Sequence, residues 1–123
     1  MPTTLSPILK EGIYVFTTVS DPMSVPRGIA LMEFTEDEGT TLITRKEDAD
    51  QLGLSYNYEA AWITVSLVTA LDTVGITAAF TSLLSDAQIS CNVVAAFYHD
   101  HIFVPYYRRI EAVEILSSAS LNI

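Results

Sequence analysis

The spacing of apolar residues changes twice between Trp62 and Pro105, and this change restricts the folds open to the chain. Residues 62–67 alternate in polarity, as a half-buried strand does. After a polar turn, apolar residues recur at helical spacing and form one stripe, which comprises Ile76, Ala79, Phe80, Leu83, Leu84 and Ala87. Alternation returns over Ser90–Phe97. The stretch therefore predicts a strand, a helix and a second strand in that order.

The residues that follow extend this pattern. The second strand is predicted to place on its apolar face Cys91, Val93, Ala95 and Phe97. His99-Asp100-His101 is predicted to turn the chain, Ile102–Val104 to run back as a strand, and Arg108–Ser118 to form a helix. The order β-α-β-β-α is most of a split βαβ, ferredoxin-like unit. The fold class is therefore α+β, with an antiparallel sheet packed on helices.

This stretch also resembles an ACT domain, a small regulatory module that binds ligands. The resemblance rests on Asp72-x-x-Gly75-Ile76 before the helix and on Ile89-Ser90-x-Asn92-Val93 at the second strand. The run SCNVVAAFYHDHIFVP looks like small bacterial ACT-like proteins that carry two ACT-type halves in one chain. That likeness extends over nearly the whole sequence, and it implies two halves of the βαββαβ type.

The elements expected before residue 62 fit a first, incomplete half. Asp21-Pro22 and Val25-Pro26 break regular structure, so a loop is expected where the ACT fold has its first helix. The expected elements are a helix Thr3–Lys10, a strand Ile13–Val19, the loop Ser20–Gly28, a hairpin of Ile29–Phe34 with Thr40–Thr44, a helix Arg45–Leu52 ended by Gly53, and a strand Leu54–Glu59.

We accordingly expect two domains, residues 1–61 and 62–123. The second has only Leu121–Ile123 left for its last strand. Because an unpaired sheet edge needs cover, either another segment of the chain or a partner chain is expected to complete this sheet. A homo-oligomer, a dimer or larger, is expected for the same reason.

Charge and composition exclude several partners. The chain carries 15 acidic and 6 basic residues, for a net charge of −9, and it has no basic stripe. Nucleic-acid binding is therefore not expected. No apolar run approaches the roughly 20 residues that a membrane span needs. The first residues lack a secretory signal pattern, and the lone Cys91 suits a reducing compartment, so a cytoplasmic protein is expected.

The strongest candidate site is the loop over residues 71–77. A helix N-terminus leaves backbone N–H groups unsatisfied and carries positive potential, so it can receive a carboxylate. The ligand-binding residues that we expect, with Asn92 included on the family resemblance alone, are Asp72, Thr73, Val74, Gly75, Ile76, Thr77 and Asn92. Asp72 is equally suited to capping the helix or meeting a ligand ammonium group. We expect Gly75→Val to abolish the ligand response and keep most of the fold, unless Gly75 has a positive φ.

Other candidates for chemistry are weaker. His99 and His101 share a strand face only if the strand is continuous, and no third ligand stands at a zinc spacing, so no metal and no cofactor are expected. Cys91 lies on an apolar face, which is unsuited to a nucleophile. No nucleotide-binding or hydrolase motif is present.

The sequence therefore favours a non-catalytic sensor. The ACT resemblance implies that a small molecule, most naturally an amino acid, binds at a domain or subunit interface, with a regulated protein as a further partner. Two alternatives stay open: an enzyme that uses the His99-Asp100-His101 hairpin, and a structural module that only oligomerises.

Overall fold

A computed structural model of the chain describes residues 2–66 and 75–122. Within these residues, antiparallel strands combine with helices, and the α+β class is confirmed. The strands are β1 (Pro2–Thr4), β2 (Pro7–Leu9), β3 (Tyr14–Val19), β4 (Met32–Thr35), β5 (Thr40–Arg45), β6 (Glu59–Val65), β7 (Asn92–Ala95), β8 (Asp100–Pro105) and β9 (Ser120–Asn122). The α-helices are α1 (Lys46–Leu52), α2 (Ile76–Asp86) and α3 (Arg109–Ser118), and short 3₁₀ helices span Pro22–Ser24 and Tyr106–Arg108.

The chain forms two compact units. Unit I is Gly12–Ala60, and unit II combines Met1–Glu11 with Ala61–Ile123. The N-terminal segment Met1–Glu11 groups with the later half of the chain rather than with residues 12–60.

Unit I is built on a three-stranded antiparallel core. β5 pairs with β4 on one side and with β3 on the other, and the first residues of β6 pair with β3 through Tyr14 and Ala60. The loop Ser20–Gly28 contains one short 3₁₀ turn, in which the Met23 N–H donates to the Asp21 carboxylate. Helix α1 ends at Gly53, which has a φ of 69° and the left-handed conformation. The predicted hairpin, loop and helix are thus confirmed.

The strand predicted at Leu54–Glu59 is wrong over most of its length, because β6 begins only at Glu59. The backbone N–H of Leu54 instead bonds to the carbonyl of Ala49 and closes the end of α1. The Thr17 hydroxyl donates to the carbonyl of Ser55 at 2.7 Å. These bonds use backbone groups that a strand ladder would need.

Unit II packs α2 and α3 on one face of its sheet. The strand order is β2-β6-β8-β7, and β1 pairs with β9 separately. The buried core comprises Leu5, Ala61, Ile63, Val65, Ile76, Phe80, Leu84, Ile89, Ile102, Val104, Ala112 and Leu116. The stripe predicted for α2 is thus confirmed, and its central residue Phe80 has no exposed surface.

The helix predicted at Thr3–Lys10 is wrong, since this segment forms β1 and β2. Leu5, Ile8 and Leu9 fit helical spacing, but Pro7 lacks an N–H and β6 offers an open edge. Leu9 packs against the helix-covered core, whereas Ile8 points to the opposite face and is 48% exposed. The sequence left open which segment completes the sheet of the second half, and the structure shows that it is this N-terminal one. β2 lies beside β6, and β1 pairs with the last strand, β9.

The turn predicted at His99-Asp100-His101 lies a few residues earlier. The N–H of Ala96 bonds to the carbonyl of His99 at 3.1 Å, and Asp100 already pairs with Ala95. Phe97 is consequently in the turn and 76% exposed, instead of sharing the core face. Cys91 and Val93 pack against the core as predicted. The register follows from β8, where Ile102 and Val104 belong to the helix-covered core, while His101 and Phe103 contact Trp62 on the other face.

Candidate functional site

Helix α2 begins after Gly75, which has a φ of 90° and no side chain to cap the helix. Among the described residues, no side chain caps its N-terminus. The first helical bond runs from the Ala79 N–H to the Gly75 carbonyl at 3.0 Å, so the N–H groups of the first turn have no acceptor within the helix. A Cβ built on Gly75 meets no atom of the described residues within 4 Å. A ligand can therefore approach this backbone closely.

The positive φ of Gly75 also decides its mutational behaviour. Valine is strained in the left-handed region, because its β-branched side chain meets its own backbone there. Gly75→Val is therefore expected to perturb both the fold and the candidate ligand site. Other substitutions are needed to test ligand binding.

A carboxylate lies beside this helix start. The Thr77 hydroxyl donates to Oδ2 of Asp100 at 3.3 Å, joining the first turn of α2 to the first residue of β8. Thr77 is exposed and Asp100 is half-buried. A negative charge is favoured near the N-terminus of a helix. The arrangement thus offers N–H donors and one carboxylate acceptor next to each other.

The structure brings together some of the residues that the sequence predicts to bind the ligand. Gly75 and Thr77 lie at this helix start, while the side chain of Ile76 is 4% exposed and belongs to the core. Asn92 pairs with Phe103 at the far end of the β7–β8 ladder, three residues from the Ala95–Asp100 pair. At about 3.4 Å per residue, that separation is roughly 10 Å. Asp72, Thr73 and Val74 lie outside the described residues.

The sequence analysis did not place Asp100 at this site. Asp100 and Thr77 are 23 residues apart, and their contact depends on how α2 packs across β8. The ACT-like spacing around Gly75 does not indicate that Asp100 lies near Thr77. What could have pointed to Asp100 is its position within the predicted turn His99-Asp100-His101, since this turn directly precedes a strand and lies at the edge of the sheet.

A second polar group lies on the opposite face of unit II. The indole N–H of Trp62 donates to Nδ1 of His101 at 3.1 Å, and the hydroxyl oxygen of Thr64 lies 3.0 Å from the same nitrogen. Because an indole N–H can only donate, Nδ1 of His101 is an acceptor, and the neutral ring carries its proton on Nε2. The pKa of His101 is lowered, mainly by burial and then by His99 and Lys10.

The three residues of the His99-Asp100-His101 hairpin do not converge. Asp100 contacts Thr77 of α2, whereas His101 contacts Trp62 on the other face of the sheet. Within residues 2–66 and 75–122, no group of three or more His, Cys, Asp and Glu side chains is placed to hold a metal ion. The geometry thus assembles neither an acid–base pair nor a metal centre from this hairpin.

Cys91 faces an open groove of about 640 Å³ lined by Thr81, Ser82, Ser85, Gln88, Ile89, Ser90 and Cys91. Burial raises the pKa of the Cys91 thiol to about 11. The sulfur is therefore a neutral thiol at pH 7, and a thiol is a poor nucleophile compared with a thiolate.

Two protein-family models match this chain, in agreement with its ferredoxin-like architecture. The ACT domain family model matches residues 1–61 and a second ACT domain model matches residues 57–118. The chain belongs to the ACT domain family and carries two ACT-type domains. A search of curated protein sequences gives no match.

Solved structures share the fold over nearly the whole chain. One from Vibrio cholerae, described as a protein of unknown function and possible transport protein, is 40% identical, covers 91% of this chain and 86% of its own, and has a TM-score of 0.86. A protein from Agrobacterium tumefaciens is 18% identical over 93% of this chain and 87% of its own, with a TM-score of 0.76.

The ligand-free regulatory subunit of aspartate kinase from Thermus thermophilus has the same fold. It is 10% identical over 94% of this chain and 95% of its own, with a TM-score of 0.62. ACT domains are regulatory, ligand-binding modules, and this defines the class of the protein. Among the described residues, none of the helices is both long and apolar enough to traverse a bilayer.

Proposed function

We propose that this protein is a non-catalytic sensor that binds a free amino acid at the start of α2. The observation that carries the proposal is the N-terminus of α2 at Gly75, which no described side chain caps, with the Asp100 carboxylate held beside it by Thr77. Membership of the ACT family supports a regulatory ligand-binding role. The shared fold with the regulatory subunit of aspartate kinase is consistent with that role.

The two ends of an amino acid match the two kinds of group at this site. The α-carboxylate accepts hydrogen bonds from the free N–H groups of the first turn and is stabilised by the helix dipole. The α-ammonium group pairs with Asp100 in a charge-assisted hydrogen bond. Gly75 leaves room for the carboxylate to come within about 3 Å of the backbone.

Binding at this position gives the chain a way to signal. We propose that the ligand is shared with a second copy of the chain, so that its binding changes self-association or the affinity for a regulated protein. The size of that change is limited by the difference in ligand affinity between the two states. A cytoplasmic amino-acid pool suits such a sensor.

A thermal-shift screen with the twenty amino acids tests the proposal. A true ligand at 100 times its dissociation constant stabilises the fold by about 2.7 kcal/mol. For a chain of this size, the melting temperature then rises by several degrees. A panel in which no amino acid raises the melting temperature, at concentrations up to tens of millimolar, contradicts the proposal.

A further inference from the structure

The sheet face of unit II that lies opposite α2 and α3 carries a second cluster of polar side chains. Ala61 and Ile63 point to the helices, so Trp62 and Thr64 point away from them. His101 lies on the same face of the neighbouring strand β8. Lys10 directly follows β2, which borders β6 on the side away from β8. Its backbone N–H bonds to the carbonyl of Trp62 at 2.9 Å. This face is referred to below as the tryptophan face.

His101 presents a directed donor on this face. Its Nδ1 is occupied by the indole N–H of Trp62, which fixes the proton of the neutral ring on Nε2. No described residue accepts a hydrogen bond from Nε2. The ring is held by two bonds from β6, so this donor is pre-positioned by the sheet.

Lys10 adds a positive charge that forms no ion pair with a carboxylate of the described residues. Its ammonium group lies 5.3 Å from the centroid of the Trp62 ring, in a cation–π contact. In the described part of the chain, the ion pairs are made by Arg45, Lys46 and Arg108, and no carboxylate lies within 4 Å of Lys10.

His99 supplies the third group. Its ring lies 6.2 Å from that of His101, nearly perpendicular to it. Nδ1 of His99 is buried and bonds to no atom of the described residues. Buried polar atoms are nearly always hydrogen-bonded, so this nitrogen requires a partner that the described residues do not supply. The nearest acid, Asp100, is turned to Thr77 on the helix side.

We propose that Lys10, His99 and His101 form a binding site for a small oxyanion, a carboxylate or a phosphate group. The three side chains offer N–H donors, and oxyanion oxygens are acceptors only. Trp62 forms an apolar wall that strengthens these charge-assisted bonds by excluding water. A cation is repelled by Lys10. This site goes beyond the proposed function, because it lies on the other face of the sheet from Gly75 and Thr77.

Anion binding here is linked to histidine protonation. A bound anion favours the charged form of a nearby imidazole, so it opposes the lowering of the pKa of His101 by burial. By reciprocity, the protonated protein binds the anion more tightly, and affinity rises as the pH falls from 7.5 to 6.

Trp62 is the only tryptophan in the sequence, and its fluorescence reports on this face. The experiment titrates inorganic phosphate in one arm and acetate in the other, at constant ionic strength set with chloride. We expect a saturable change in Trp62 emission with a millimolar dissociation constant, tighter at pH 6 than at pH 7.5. The arm that saturates at lower concentration identifies the preferred oxyanion.

Matched variants separate the site from a general charge effect. Lys10→Gln is expected to weaken the response at least tenfold, whereas Arg27→Gln removes an exposed charge in unit I and leaves the response unchanged. His99→Asn, which keeps the Trp62–His101 bond, is expected to weaken it as well. Asp100→Asn, which changes the Gly75 site, is expected to keep it.

Either of two results overturns the proposal. One is a linear, non-saturating response in both arms, and the other is equal affinity in Lys10→Gln and Arg27→Gln. If Lys10→Gln does not fold, His99→Asn decides alone, and unchanged phosphate and acetate affinity in that variant contradicts the site. Amino-acid binding by the wild-type protein is measured separately, so failure of this site leaves the sensor proposal standing.

Discussion

The hydroxyl of Thr77 donates to Asp100 at 3.3 Å and joins the start of α2 to the start of β8. This bond holds a carboxylate beside a helix N-terminus that no described side chain caps. The carboxylate and the helix N-terminus have opposite electrostatic character, as do the ammonium and carboxylate ends of one amino acid. This relationship is the basis of the predictions about ligand binding.

Asp100→Asn is expected to weaken amino-acid binding about tenfold, or by about 1.4 kcal/mol. The substitution keeps an oxygen acceptor for Thr77 and removes the charge that pairs with the ligand ammonium group. Calorimetric titration of the ligand found by the thermal-shift screen measures the change. Asp86→Asn, at the exposed C-terminal end of the same helix, is the matched control and is expected to bind like the wild type. Equal loss in both variants would show that total charge, rather than Asp100, matters.

Phe80→Ala is expected to destabilise unit II by about 3–5 kcal/mol, because Phe80 is fully buried in the α2 stripe. Urea unfolding monitored by circular dichroism measures this loss. Ser82→Ala, an exposed position on the same helix, is expected to change the stability by less than about 0.5 kcal/mol. A Phe80→Ala protein as stable as Ser82→Ala would contradict the assigned face of the helix.

Stability is expected to fall between pH 7.5 and pH 6 because the pKa of His101 is lowered in the folded state. Below its ordinary pKa near 6.5, the unfolded chain binds a proton that folded His101 resists, so folding loses free energy as the pH falls toward the folded-state pKa. Urea unfolding at several pH values measures the slope. His101→Asn keeps an acceptor for Trp62 without a titratable ring and should flatten the slope. An unchanged slope would assign the effect to other groups.

A homodimer or larger assembly is expected at micromolar concentration. Phe97 and Tyr98 are 76% and 74% exposed at the β7–β8 turn, and within the described residues β7 pairs only with β8. Exposed aromatic side chains next to an open strand edge favour association. Sedimentation velocity measures the mass, and a single species of monomer mass would contradict this expectation.

Elements with an unambiguous local pattern could be predicted from the sequence. The stripe around Phe80 specifies α2, and Gly53 ends α1 with the left-handed conformation that glycine adopts readily. The segment of Leu5, Ile8 and Leu9 was predicted wrongly as a helix, because its local spacing suits a helix. The open edge of β6 decides between helix and strand, and that edge exists only in the folded chain.

The candidate site was predictable in part for the same reason. Gly75 and Thr77 carry a local signal, since they precede a clear helical pattern. Asp100 reaches them through the packing of α2 on the sheet, and Trp62 reaches His101 only because β6 and β8 are neighbours. Such contacts join residues 23 and 39 positions apart, and no local pattern encodes them.

The most direct measurement of the central claim is a backbone amide NMR titration of the ¹⁵N-labelled protein with the amino acid found by the thermal-shift screen. Hydrogen bonds from the first turn of α2 to a ligand carboxylate are expected to give the largest chemical-shift changes at Gly75, Ile76, Thr77 and Ala78, with smaller changes at Asp100. Saturable shifts confined to other parts of the chain, with these amides unmoved, would contradict the account.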